Sequence, residues 1–140
     1  MSTTSQAKPT LDQRRANHAW NAIMSFAKDK NGEYGDDAKE YAREAHKLPT
    51  RIMAAGLGQA LAFILAKAKD KKPNLKRLHE HLTNWVIKQR PTTAKKQDSL
   101  LESIIEGDSD FLRRATDESL AYLQWLNRFA EAAGLTEGGD

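Results

Sequence analysis

The residues best able to do chemistry in this sequence are four histidines, His18, His46, His79 and His81. No pair stands at i, i+4, the spacing by which one helix face presents two imidazoles to a single ion. The nearest approach is His79-Glu80-His81, where the second ring points about 200° around a helix axis from the first. Carboxylate pairs occur as Asp36 with Asp37, Asp108 with Asp110 and Asp117 with Glu118, at helix starts or exposed faces where the helix dipole accounts for them without acid–base work. Serine and lysine are plentiful, yet G-x-S-x-G, S-x-x-K and a phosphate-cradling glycine loop are absent, and Gly56-Leu57-Gly58 falls inside a predicted helix. A cysteine count of zero removes thiol catalysis, zinc ribbons, disulfides and iron-sulfur clusters together. The expectation is a chain that is not an enzyme, with no metal site and no cofactor.

Charge is more informative than any catalytic residue. The formal net charge is only +3, but residues 67–96 hold ten basic residues and two acidic ones, whereas residues 97–140 hold three basic and ten acidic. A chain polarised in this way can offer a basic surface to a polyanion and an acidic one to a basic neighbour. Lys67, Lys69, Lys71, Lys72, Lys76, Arg77, Lys88, Arg90, Lys95 and Lys96 fall at the ends and on the exposed face of one predicted helix, where a continuous strip could form. Such a strip neutralises phosphates without reading bases. The lack of aromatic residues expected to be exposed among the lysines argues against a stacking platform for single strands, and Trp85 is expected in the core. Arg113 and Arg114 each stand four residues before a carboxylate, Asp117 or Glu118, so intrahelical pairs could satisfy them. The helix dipole explains Arg128.

The elements that must position these residues are all helical. Thr10 caps a first helix carrying Ala16, Ala19, Trp20, Ile23, Phe26 and Ala27, ended by Asn31-Gly32. A short second helix starts at Asp36 or Asp37, carries Ala38, Tyr41, Ala42 and Ala45, and turns at Leu48-Pro49, since a residue before proline avoids the helical region. A third helix, from about Thr50 to Lys69, is apolar on every side at its centre, so the other helices should pack around it. Gly56 and Gly58 there suggest another helix backbone crossing close by. Asn74 caps a fourth helix, with Leu75, Leu78, Leu82, Trp85 and Val86 on one side and Lys76, Arg77, His81, Asn84 and Lys88 on the other. After a linker from Arg90 to Lys96, Asp98 caps a short helix with Leu100, Leu101, Ile104 and Ile105, stopped by Gly107. A last helix runs from Asp108 or Ser109 to about Ala133 and is closed by Gly134.

No strand alternation or fixed-period repeat competes with this pattern. The fold class is therefore all-α: a compact single-domain bundle of about six helices around a central apolar helix, over residues 10–135. A disordered N-terminal arm is expected over 1–9 and a disordered tail over 136–140. The start lacks a signal peptide's apolar run, and Ile52 to Ala66 is too short for a membrane span, so neither export nor membrane insertion is expected.

Two blocks carry a family resemblance. Leu48-Pro49, Ile52, Gly56-Leu57 and Gln59-Ala60-Leu61-Ala62-Phe63 resemble the "P, I, GL, QALAF" signature of the small subunit of the type III-B CRISPR Cmr RNA-silencing complex. The segment from Phe111 to Ala133 is similar to that family's closing helix through Arg113, Ala115, Thr116, Glu118, Leu123, Trp125, Leu126, Arg128, Phe129 and Ala130. A polar residue is frequent in the family where Ala55 stands here, and tyrosine where Phe111 stands. The resemblance implies a cytoplasmic antiviral complex built on a CRISPR RNA. Within it, non-catalytic small subunits stack beside the backbone subunits and line the guide and target RNA. The implied partners are other Cmr subunits, above all the backbone subunit and further copies of itself, together with CRISPR RNA and target RNA. No membrane and no small-molecule substrate enter. The basic residues of the strip are candidates from charge alone, with Arg51, Arg113 and Arg114 as secondary candidates for RNA or subunit contact. A helix-turn-helix DNA-binding regulator and a stand-alone nuclease are the competing classes.

Overall fold

Thr10 opens the first helix with a reciprocal capping box: its hydroxyl accepts from the Gln13 N–H at 3.0 Å, and the Gln13 side chain accepts from the Thr10 N–H at 2.8 Å. The computed structural model describes residues 7–70, 72–90 and 98–136. The arm expected over 1–9 and the tail over 136–140 lie mostly outside them, as does the linker beyond Arg90. Among the described residues there are six helices, α1 (Leu11–Met24), α2 (Asp36–Ala55), α3 (Leu57–Asp70), α4 (Leu75–Gln89), α5 (Leu100–Glu106) and α6 (Ser109–Ala132), and no strand beyond an isolated bridge between Lys28 and Tyr34.

α1 ends earlier than its sequence suggests. The Ser25 hydroxyl donates to the Ala22 carbonyl at 2.6 Å, and the Asp29 carboxylate gathers the N–H groups of Asn31 and Glu33 into a tight loop. Asn31-Gly32 is the tip of that loop and not the helix stop.

The largest departure is at Pro49, where the chain does not turn. α2 runs straight through it and breaks at Gly56 instead. Proline supplies no N–H, so the carbonyl of Ala45, four residues back, loses its intrahelical partner. Asn127 on α6 replaces it, donating from Nδ2 to the Ala45 oxygen at 3.0 Å. Gly56 takes φ 91° and ψ 158°, a region open to glycine and costly for other residues, which separates α2 from α3. The close backbone crossing expected at Gly56 is absent: a Cβ there would meet nothing within 4 Å. Larger residues at Gly56 would be resisted by backbone strain and not by overpacking.

Nor is α3 the hub. It buries Leu57, Ala60, Leu61 and Ile64, while Phe63 on the same helix and Met53 just before the break face solvent. α4 packs against all five other helices, through Leu75, Leu78, His79, Leu82, Thr83, Trp85 and Val86. The apolar run around Gly56 is thus divided between two helices, each with one solvent face.

Small caps also differ from expectation. Asn74 precedes α4 without a side-chain cap, because the carbonyls of Lys72, Pro73 and Asn74 accept from Leu75, Lys76 and Arg77 in a tight turn. Ser99, not Asp98, caps α5 through the Glu102 N–H. Two α4 side chains complete that helix start: Thr83 Oγ1 accepts from the Leu100 N–H at 2.9 Å and His79 Nε2 from the Leu101 N–H at 3.3 Å.

α6 is about 36 Å long at 1.5 Å per residue and packs along both α1 and α2. Asp108 caps its start, accepting from the Phe111 N–H at 2.8 Å. At its end Gly134, with φ 76°, donates to the Glu131 carbonyl while Leu135 donates to that of Ala130. The buried Leu135 side chain completes this Schellman closure. Leu112, in the first turn of α6, is 39% exposed.

Candidate functional site

The basic residues fall into two sets. In one, the charge is held inside the molecule. Lys67 donates to Glu44 at 2.9 Å and Arg51 to the same carboxylate at 2.7 Å. Arg77 donates to the Ser25 hydroxyl at 2.7 Å and lies 3.9 Å over the Phe26 ring. Arg90 stands 3.5 Å from the buried Glu118. In the other set, Lys69, Lys72, Lys76 and Lys88 make no ion pair among the described residues, and Lys69, Lys76 and Lys88 are exposed. Lys71, Lys95 and Lys96 lie outside the described residues.

Three of these four lysines lie near one another in the chain. Lys69 ends α3, Lys72 sits in the connection and Lys76 lies in the first turn of α4. Lys88 is one end of an exposed α4 strip, Lys76-Glu80-Asn84-Lys88, stepping about 6 Å per residue. Glu80 interrupts it, and Asp70 stands between Lys69 and Lys72 at the α3–α4 connection.

Arg113 and Arg114 pair with a different partner from the one their spacing suggests. Both reach back to Asp110, each at 3.0 Å. Glu118 cannot serve them because it points inward, only 1% exposed, between Ala115 and Tyr122 on the buried face of α6. There it accepts from Arg15 Nε at 2.5 Å and from Trp85 Nε1 at 2.9 Å, joining α1, α4 and α6. Burial would raise its pKa, but the Arg15 and Trp85 hydrogen bonds prevail and hold it below the usual carboxylate range.

Glu44 is the second buried carboxylate, also 1% exposed. Burial pushes its pKa up, and the Arg51 and Lys67 hydrogen bonds more than reverse this, setting it at about 2. Lys47 approaches at 3.8 Å. The same two cations lie over Phe63, Arg51 at 4.2 Å and Lys67 at 5.2 Å from the ring centre. Glu44 and Arg51 share a face only if the helix continues through Pro49, so a chain read as turning there hides the pair. Glu118 had a legible signal, lying three residues after Ala115 and four before Tyr122.

Three of the four histidines, His18, His79 and His81, hold structure together. His79 and His81 point to different sides of α4, one to the Leu101 amide and the other to the Tyr41 hydroxyl at 2.7 Å. Burial, with Arg77 and His18 nearby, lowers the His81 pKa to about 4. His18 bridges the Tyr122 hydroxyl at 2.8 Å and Asn84 at 2.9 Å. Among the described residues no three His, Asp or Glu side chains gather as a metal site requires. A shallow cleft of about 600 Å³ beside α6 is lined by Asp12, His46, Pro49, Trp125, Asn127 and Glu131 among others, with Asp12 accepting from Trp125 at 3.0 Å. No described helix is long and apolar enough to cross a membrane.

The geometry therefore offers a rigid helical body with two buried carboxylate clamps and a lysine-bearing corner. Comparison with known proteins agrees with such a body. Residues 11–133 match the family described as CRISPR-associated protein (Cas_Cmr5). The chain is 29% identical over 119 residues to the CRISPR system Cmr subunit Cmr5 of Thermus thermophilus, covering 85% of this chain and 96% of that one. The crystal structure of a CRISPR-associated Cmr5 family protein from the same organism superposes with a TM-score of 0.66 at 30% identity, covering 89% of this chain and 97% of the other. From α1 through the Schellman closure of α6, this chain belongs to the CRISPR-associated Cmr5 family.

Proposed function

We propose that this protein is a non-catalytic structural subunit of a type III-B CRISPR Cmr effector complex, acting in antiviral defence in the cytoplasm. It stacks with further copies of itself beside the backbone subunits and stabilises guide and target RNA without sequence specificity. Family membership across residues 11–133 is the observation that carries this reading. The charge distribution supports it. Lys69, Lys72 and Lys76 lie near one another in the chain and make no ion pair among the described residues, with one exposed carboxylate, Asp70, between them; their free charge suits phosphate contacts that read charge and spacing. Lys67, Arg51, Arg77 and Arg90 contribute less free charge, because each is already engaged.

The alternative DNA-binding regulator gains nothing from the fold. A recognition helix must stand clear to enter a groove, whereas α4 is the packing hub and its one open strip carries Glu80.

The test is the combined variant Lys69→Glu, Lys72→Glu and Lys76→Glu, built into the assembled complex. RNA binding should weaken, and the dependence of log affinity on log salt should flatten by about 0.7 per lost phosphate contact. Helical content should stay as in the wild type, since all three side chains lie off the core. Unchanged binding across a salt series would remove this corner from the RNA path.

A further inference from the structure

Phe63 is an exposed aromatic residue close to the basic residues. It is an aromatic ring 45% exposed on α3, and it sits among cations: Arg51 lies 4.2 Å and Lys67 5.2 Å from its centre. Neither cation is free to wander. Both are tied to the two oxygens of the buried Glu44, at 2.7 and 2.9 Å, and Lys47 stands 3.8 Å from the same carboxylate. Three cations around one carboxylate leave surplus positive charge beside an open ring. A side chain held in this way loses little freedom when a ligand arrives.

We propose that Phe63, framed by Arg51 and Lys67, is a stacking site for one unpaired base of single-stranded RNA. The base lies on the ring face that Arg51 and Lys67 do not cover, and its phosphate is drawn to the surplus charge. The site rests on the RNA-binding function proposed above and adds to it a contact that depends on bases, though not on their identity, since every base has a π-face. It also corrects the expectation that no exposed aromatic accompanies the basic residues. An apolar protein partner is the less favoured occupant, because covering Phe63 would also bury the charges of Arg51 and Lys67, and Glu44 compensates only part of them.

The site lies on the same helix as Lys69, about 9 Å along the axis from it and about 120° around it. The experiment uses the full chain at low salt with two fluorescent probes of equal length, a 20-nucleotide oligouridine and an abasic ribose-phosphate oligomer. Phe63→Leu should weaken oligouridine binding by about fivefold, the low end for losing one stacked base, and leave the abasic probe unaffected. Phe63→Trp should restore oligouridine binding. Reversal of Lys69 and Lys72 to glutamate should weaken both probes alike.

Phe63→Leu acting equally on both probes would mean that the ring only supports its cations, and no effect on either probe would mean that it is idle. Loss of assembly into the complex, with oligouridine binding intact, would make it a protein contact. Each of these results overturns the stacking site while leaving the lysine corner standing. Failure of the unaltered chain to bind either probe would overturn both.

Discussion

At the scale of single residues, the two inward-pointing glutamates organise this molecule more than any surface charge. Glu118 accepts hydrogen bonds from a guanidinium and an indole contributed by two other helices, with Arg15 itself only 12% exposed. Replacing it by alanine leaves the part-buried Arg15 with only the exposed Asp12, 2.6 Å away, as counter-ion and the Trp85 N–H without an acceptor. The expected loss is about 3 to 5 kcal/mol, the usual result of removing one partner of a buried pair. Urea unfolding of Glu118→Ala against wild type measures it, and a change within experimental error would show that Arg15 relaxes to solvent. Arg113 and Arg114, both solvent-exposed and paired with the exposed Asp110, should by contrast contribute little to stability.

At the scale of elements, the continuity of α2 depends on a side chain from α6. A proline at position 49 orphans the Ala45 carbonyl, and Asn127 supplies the missing donor. Asn127→Ala should therefore cost about 1 to 3 kcal/mol, the penalty for a buried acceptor left unmade. In a Pro49→Ala background the backbone N–H restored at that position can reclaim the carbonyl, and the same substitution should cost much less. A double-mutant cycle on the melting transition checks this, and strict additivity would disprove the compensation. The sequence showed a proline and an asparagine 78 residues apart, with nothing local to connect them. Helix existence was legible because apolar spacing and caps at Thr10, Asp108 and Gly134 are local signals. The α2–α3 break was not, because Leu48-Pro49 and Gly56 both favour a break, and only packing chose between them.

At the scale of the whole molecule, the buried titratable groups set how stability follows pH. His81 has its pKa depressed to about 4 from its ordinary value of 6.5, so its contribution is full above 6.5 and is lost as pH falls towards 4. Glu44, depressed to about 2 from 4.5, contributes fully above 4.5 and is lost as pH falls through 2. Glu118 is lowered also and adds to the acid limb. Melting temperature should hence decline in two stages on acidification, the first between about 6.5 and 4 and the second below about 4.5. Glu44→Gln should flatten the second stage and leave the first in place. A melting temperature constant from pH 7 to 3 would show that neither group is held as described.

The sequence by itself determined an all-helical chain, most helix boundaries, the absence of cysteine chemistry, the polarised charge and the family resemblance that the comparisons uphold. These are properties of local spacing and composition. Only the tertiary structure decided which cations are free and which are spent on Glu44 and Glu118, that α4 and not α3 packs against every other helix, and that Phe63 is half-exposed with Arg51 and Lys67 over its ring. A charge on a helix face has the same spacing whether its partner is water or a carboxylate from another helix, and the difference exists only once the helices have packed.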